Sequence, residues 1–168
     1  MARSREQMKR PRPVTLIDAA LLDATTAKAG NATRRRMNHN FHPSESDLCN
    51  RLLNAIEPGS YVTPHRHLDS MKDETFVVLR GRFGLVCFDE QGRVTHTVVL
   101  DAAGPVFGAD VPYGTFHTLI SLAPGSVFFE AKAGPYVKIS DKDWAPWAPR
   151  EGEAGAAEYL SRLERLFG

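Results

Sequence analysis

The stretch Gly59-Ser60-Tyr61-Val62-Thr63-Pro64-His65-Arg66-His67, followed by Glu74 and later by Pro112-Tyr113-Gly114-Thr115-Phe116-His117, decides how this chain reads. His65 and His67 are one residue apart. On a strand, positions i and i+2 point to the same face, so both imidazoles can converge on one point. Glu74 adds a carboxylate and His117 a third imidazole. Any one of these histidines alone reads as a polar side chain near a sheet rim. Together, His65, His67, Glu74 and His117 form a ligand set for one divalent transition metal. Imidazole suits zinc, copper, iron and nickel, and a carboxylate extends the range to manganese. The set carries one negative charge against a dication, which leaves about one positive charge for an anionic or ionisable oxygen of a ligand.

Outward from this stretch, the chain between Gly59 and about Ala133 reads as short strands separated by turn signals. Thr75–Leu79 is ended by Gly81. Arg82–Phe88 and Val94–Leu100 flank Asp89-Glu90-Gln91-Gly92, a hairpin. The strand that carries His117 ends near Ser121, and Pro124-Gly125-Ser126 turns into Val127–Lys132. Upstream, Met37–His42 and Asn50–Ile56 also read as strands. Many short strands without intervening helices predict a sandwich or closed barrel.

Helical signals lie only at the ends. Asp18–Ala29 has a capping Asp18 and ends on Gly30 as a left-handed stop; Glu153–Phe167 carries an apolar stripe of Tyr159, Leu160, Leu163, Leu166 and Phe167, expected to pack on the barrel. Gly134–Pro149, with Trp144 and Trp147 among prolines, is expected to wrap the barrel as irregular chain and bury both indoles. Residues 1–13 carry Arg3, Arg5, Lys9, Arg10 and Arg12 with almost nothing to bury, and read as a basic tail. The expected organisation is this tail, one β domain over 14–150, and a C-terminal helix over 151–168.

Composition narrows the function classes. The 168 residues are 42% hydrophobic and 24% charged with net charge +1, ordinary for a globular domain and uninformative for nucleic-acid or membrane partners. There is no apolar run of membrane-spanning length. Cys49 and Cys87 match no metal or redox spacing and read as small apolar side chains in a reducing, cytoplasmic setting.

Gly59, His65, His67, Glu74 and Gly81 resemble the first signature of the cupin superfamily, G-x5-H-x-H-x(3,4)-E-x6-G; Pro112, Gly114 and His117 resemble the second, P-x-G-x2-H-x3-N. Two departures stand out. Six residues separate His67 from Glu74, which lengthens a loop and brings Asp69 and Asp73 into consideration as ligands. Ser121 also stands where the family has Asn. A narrower resemblance is to WbuC-type cupin-fold metalloproteins. It is carried by Met37-Asn38-His39-Asn40-Phe41-His42, Arg51–Ala55, Glu57–His67, Lys72–Thr75, Phe129–Tyr136 and Asp141–Pro149. The resemblance implies a mainly β, single-domain cupin (a double-stranded β-helix or jelly-roll barrel) with short terminal helices. It also implies a mononuclear metal, pairing into a homodimer, and a setting in O-antigen or exopolysaccharide metabolism.

Several side chains join the metal set as candidates. His42 is a general acid or base, and Asn38, Asn40 and Tyr61 are substrate-binding groups, because each shares a strand face directed toward the barrel mouth. Glu130 and Lys132 share a face and read as a pair. Arg51, Arg66 and Lys72 are candidates for holding an anion. The expected activity is that of a metal-dependent enzyme acting on a small oxygen-rich molecule, a sugar or sugar derivative, by Lewis-acid isomerisation or oxygen-dependent chemistry. The alternative is a non-catalytic, metal-containing binding or sensor module.

Overall fold

The computed structural model of the protein describes residues 12–168. In chain order it comprises α1 (Ala19–Asn31), β1 (Arg36–Asn40), β2 (Cys49–Ile56), β3 (Glu74–Arg80), β4 (Arg82–Phe88), β5 (Val94–Asp101), β6 (Gly108–Val111), β7 (Phe116–Ser121), β8 (Ser126–Ala133) and α2 (Ala156–Glu164). The strands form a five-stranded sheet in the order β1-β2-β8-β3-β6 and a three-stranded sheet in the order β5-β4-β7. Every pairing is antiparallel. This is a mainly β jelly roll, as the sequence predicts.

Period-2 alternation decides which way each strand faces. In β3, Glu74, Phe76 and Val78 are buried while Thr75, Val77 and Leu79 are exposed. The core between the sheets holds Ile56, Phe76, Val78, Phe83, Leu85, Leu119 and Phe128. On the outer face of the large sheet, α1 covers Leu53, Ala55 and Val127 with Leu22 and Ala29. Outside the small sheet, Leu160 and Leu163 of α2 pack with Val86, Phe88, Phe116 and Ile120. The C-terminal stripe therefore lies on its own barrel. Phe167 can reach β4 because Gly84 carries no side chain; a Cβ there would stand 2.4 Å from the Phe167 ring.

The inward face of the large sheet changes character along its length. Across one row the register aligns Asn50, Lys132 and Glu74; across the next it aligns Asn40, Leu52, Glu130 and Phe76. Toward the other end come Phe128 and Val78. Polar and charged side chains thus gather at one end of an otherwise apolar interior, and the site lies there.

Some expectations need correction. Gly30 lies inside α1, which ends where Ala32 turns extended; the stop is not a left-handed glycine. The C-terminal helix begins at Ala156, after Gly155 at φ 88°, rather than at Glu153. β6 had no counterpart in the sequence reading. Most of the basic tail lies outside the described residues; within them, Arg12 donates to the Phe41 carbonyl at 3.2 Å. The segment at 134–149 is irregular as expected, but both indoles are only half-buried.

Candidate metal centre

His65 and His117 form a reciprocal backbone pair: His65 N–H donates to His117 O at 3.0 Å, and His117 N–H donates to His65 O at 2.9 Å. Residues opposed in this way in an antiparallel pair project from one face. One step further on, Gly114 N–H donates to the His67 carbonyl at 2.6 Å. The segment through His65 and His67 thus lies against the start of β7 through a single antiparallel bridge at His65, and the one-residue spacing places both rings on the inner side. Glu74 opens β3 on the facing sheet and points inward, 2% exposed.

The ligand atoms of His65, His67 and Glu74 all lie within 4.8 Å of one another. His117 lies beside this group, with its Nε2 3.0 Å from Glu74 Oε2, while His67 Nε2 is 3.0 Å from Glu74 Oε1. These contacts are close but not aligned as hydrogen bonds, and the Nε2 atoms of His67 and His117 are buried with no hydrogen-bond partner among the described residues. Buried polar atoms are rarely left so. The opposite ring nitrogens are engaged: Nδ1 of His65 lies 3.1 Å from Thr63 O, and Nδ1 of His117 lies 2.9 Å from Thr115 O. A carbonyl only accepts, so Nδ1 carries the hydrogen and Nε2 presents a lone pair, the tautomer that binds a metal. The residues therefore fit a divalent ion.

Electrostatics agrees with this. Burial pushes the His65 imidazole down to about 3, and the neighbouring His117 ring pushes in the same direction. His65 is neutral at physiological pH, as a metal ligand must be. Burial alone would raise the Glu74 carboxyl, but His117, His67 and Lys132 against it hold it well below the usual carboxylate range. Lys132 Nζ donates to Glu74 Oε1 at 2.6 Å and lies 2.8 Å from Glu130 Oε1; Asn54 Nδ2 donates to the other Glu130 oxygen at 2.8 Å. Beside these groups is a cavity of about 140 Å3, walled by His65, Glu74, His117, Asn54, Glu130 and Arg36 among others. Trp144 covers one side, its ring centroid 5.8 Å from that of His65.

The remaining candidates are placed as follows. Asp69 and Asp73 do not join the ligands: Asp69 accepts from Met71 N–H and Asp73 from Tyr113 N–H, both at the exposed surface. Tyr61 is not on a strand facing the site. It is buried under α2, and its hydroxyl donates to Pro149 O at 2.8 Å. His42 lies away from the metal ligands, its Nδ1 occupied by the Arg51 backbone. Together with Asn38 and Asn40 it lines a separate cavity that Lys132 also borders. Arg66 stacks on Phe116 and pairs with Glu90, and Lys72 donates to Pro135 O. Ser121 closes a turn by donating to Ala123 O. Sequence reading missed the contact of Lys132 with Glu74, which only the β3–β8 register reveals.

With this geometry in hand, the comparisons fall into place. The profile of a family described as a domain of unknown function, DUF6016, matches residues 17–100, half of the chain. The chain belongs to that family. The DUF6016 match takes in His65, His67 and Glu74 and stops before His117. No curated protein matches the chain. Among solved structures, BH2720 from Bacillus halodurans superposes with TM-score 0.54 at 16% identity, over 77% of this chain and 86% of that one. A cupin superfamily protein from Desulfitobacterium hafniense gives TM-score 0.46 at 14% identity, over 58% and 76%. KdgF from Halomonas sp. gives 0.48 at 18%, over 61% and 82%. At such identities the likeness is one of fold: this DUF6016 chain shares the antiparallel β architecture of BH2720. No helix among its described residues is long and apolar enough to cross a membrane.

Proposed function

We propose that the protein is a metal-dependent enzyme acting on a small oxygen-rich molecule, a sugar or sugar derivative of polysaccharide metabolism. His65, His67, Glu74 and His117 would hold one ion of iron, zinc, manganese or nickel. The observation that carries this reading is the pair of buried, partnerless Nε2 atoms of His67 and His117, facing Glu74 beside a cavity. Such an ion, when bound, supplies Lewis-acid polarisation of a carbonyl or hydroxyl oxygen. Isomerisation of a hydroxycarbonyl unit and oxygen-dependent cleavage are the two reaction forms such a centre would support. The resemblance of six separate stretches between residues 37 and 149 to WbuC-type proteins supports the polysaccharide setting, and the two free cysteines suit the cytoplasm.

The chain's own residues prepare the site. The Thr63 and Thr115 carbonyls fix the ring orientation of His65 and His117. Lys132 holds the Glu74 carboxylate in place and keeps it ionised. Asn54, Glu130 and Arg36 offer polar groups on the cavity wall, and Ile56, Val62 and Leu119 supply apolar ones. A non-catalytic binding module is the second reading, favoured by Trp144 lying over His65.

Elemental analysis of protein purified without added metal, wild type beside His65→Ala, tests the centre. The wild type should carry about one ion per chain and the variant a small fraction of it, since removal of one ligand from a four-ligand set weakens metal affinity strongly. Equal metal content in the two would overturn the assignment.

A further inference from the structure

We propose that the cavity on the β1–β2–β8 side of Lys132 is a binding subsite for a neutral hydroxylated ring of monosaccharide size; this rests on the reading of the adjoining centre as a site for a sugar-like substrate. The cavity measures about 250 Å3, and its walls include Asn38, Asn40, His42, Asn50, Lys132 and Tyr136. That volume is at the small end for ligand pockets, suited to one ring and not to a nucleotide or an oligosaccharide.

Three features select the ligand. Asn50 is 2% exposed, and its Oδ1 has no hydrogen-bond partner among the described residues, so a buried acceptor in the cavity wall awaits a donor such as a hydroxyl. Asn38 and Asn40 are linked by one bond, Asn38 Nδ2 donating to Asn40 Oδ1 at 2.9 Å, which leaves the Asn40 NH2 and the Asn38 carbonyl to pair with vicinal hydroxyls. Lys132 has three N–H donors; one is given to Glu74, and the ammonium lies 2.8 Å from Glu130 without an aligned hydrogen bond, so N–H groups remain for the cavity. Its charge is matched by Glu130, the Glu74 charge being counted toward the adjoining centre, and Glu45 adds another carboxylate to the wall. An anion would therefore find no spare positive charge, which favours a neutral ligand. The half-exposed Tyr136 ring offers an apolar surface for the C–H face of a sugar.

Lys132 also joins the two sites, since the same ammonium that walls this cavity grips the metal-facing Glu74.

The test is saturation-transfer NMR on the full chain as purified, with D-glucose, D-galactose, D-mannose and D-glucuronate as probes. Asn40→Ala and Asn50→Ala are compared with wild type, with metal content and thermal melts recorded for each. At least one neutral hexose should bind, about tenfold more weakly in the variants, the loss expected for one hydrogen bond to the ligand. Metal content should be unchanged. Asn40 is exposed, so Asn40→Ala stays informative if Asn50→Ala fails to fold. Binding of glucuronate alone, no binding by any probe, or hexose binding equal in Asn40→Ala and wild type overturns the proposal. A hexose that still binds His65→Ala protein depleted of metal supports it. Hexose binding that is lost in Asn40→Ala, with metal retained in His65→Ala, upholds the subsite while sinking the assigned centre.

Discussion

Lys132 is the residue on which the polar end of the barrel depends. Glu74 and Glu130 both face the interior, 2% and 7% exposed, and a single ammonium lies against both. Burial lowers the affinity of Lys132 for its proton, but Glu130 and Glu74 raise it more, so the side chain stays charged. Lys132→Met keeps most of the volume and removes the charge, leaving two uncompensated carboxylates. Breaking a buried ion pair in this way costs about 3–5 kcal/mol, which urea unfolding in the presence of a chelator will show. A divalent ion adds stability to both proteins, about 4 kcal/mol at a thousandfold excess over its dissociation constant, so a deficit that changes on adding metal reports a change in affinity at the centre. A metal-independent deficit, or none, would separate Lys132 from the centre. The convergence of the four candidate side chains is legible because His65-x-His67 fixes one face by itself and Glu74 and His117 sit in recognisable spacings. Lys132 is not, because its contact with Glu74 spans 58 residues and exists only once β3 and β8 are in register.

At the level of elements, the terminal helix is read correctly from its stripe and incorrectly at its ends. Leu160 and Leu163 are 6% and 5% exposed, whereas Leu166 is 44% exposed, because the helix stops at Glu164 and the chain turns so that Phe167 meets β4. Leu163→Ala should cost about 2–5 kcal/mol in urea unfolding, as other large-to-small core changes do. Gly84→Ala acts from the opposite side of the same contact. Its Cβ would displace the Phe167 ring, with an expected cost of about 1–3 kcal/mol. In a Phe167→Ala background that cost should largely vanish, and a double-mutant cycle measures the coupling. Additive costs would place the strain of Gly84→Ala elsewhere. β6 escaped the sequence reading for a related reason: Gly108-Ala109-Asp110-Val111 is short, with small and charged residues, and is a strand only because it pairs with β3. Gly30 misled because local propensity favours glycine as a stop, while this helix ends on the extended backbone of Ala32.

Over the whole molecule, the early and late parts of the chain are tied together beside the site. Arg34, between α1 and β1, and Arg36, the first residue of β1, both reach Glu151, ahead of α2. Arg36 also donates to Ser60 Oγ and Tyr61 O, and Glu151 N–H donates to Thr63 Oγ1, next to the carbonyl that orients His65. Partial burial would raise the Glu151 carboxyl, but Arg34 and Arg36 lower it further, to a net value below the ordinary one. A group with a depressed folded-state pKa stabilises the fold above its unfolded value and loses that contribution as pH falls through the folded value. Glu151→Gln should therefore lower the melting temperature at neutral pH and make progressively less difference in acid. With the Glu151 side chain 33% exposed, solvent screening limits the effect to about 1 kcal/mol, or roughly 2–4 °C. Melts of both proteins across the carboxylate range measure it. A gap as wide in strong acid as at neutrality would mean that the ion pairs do not cause the effect. If the gap closes as expected, the clamp between Arg34, Arg36 and Glu151 stabilises the fold through charge, and it does so one residue from the backbone that aims His65.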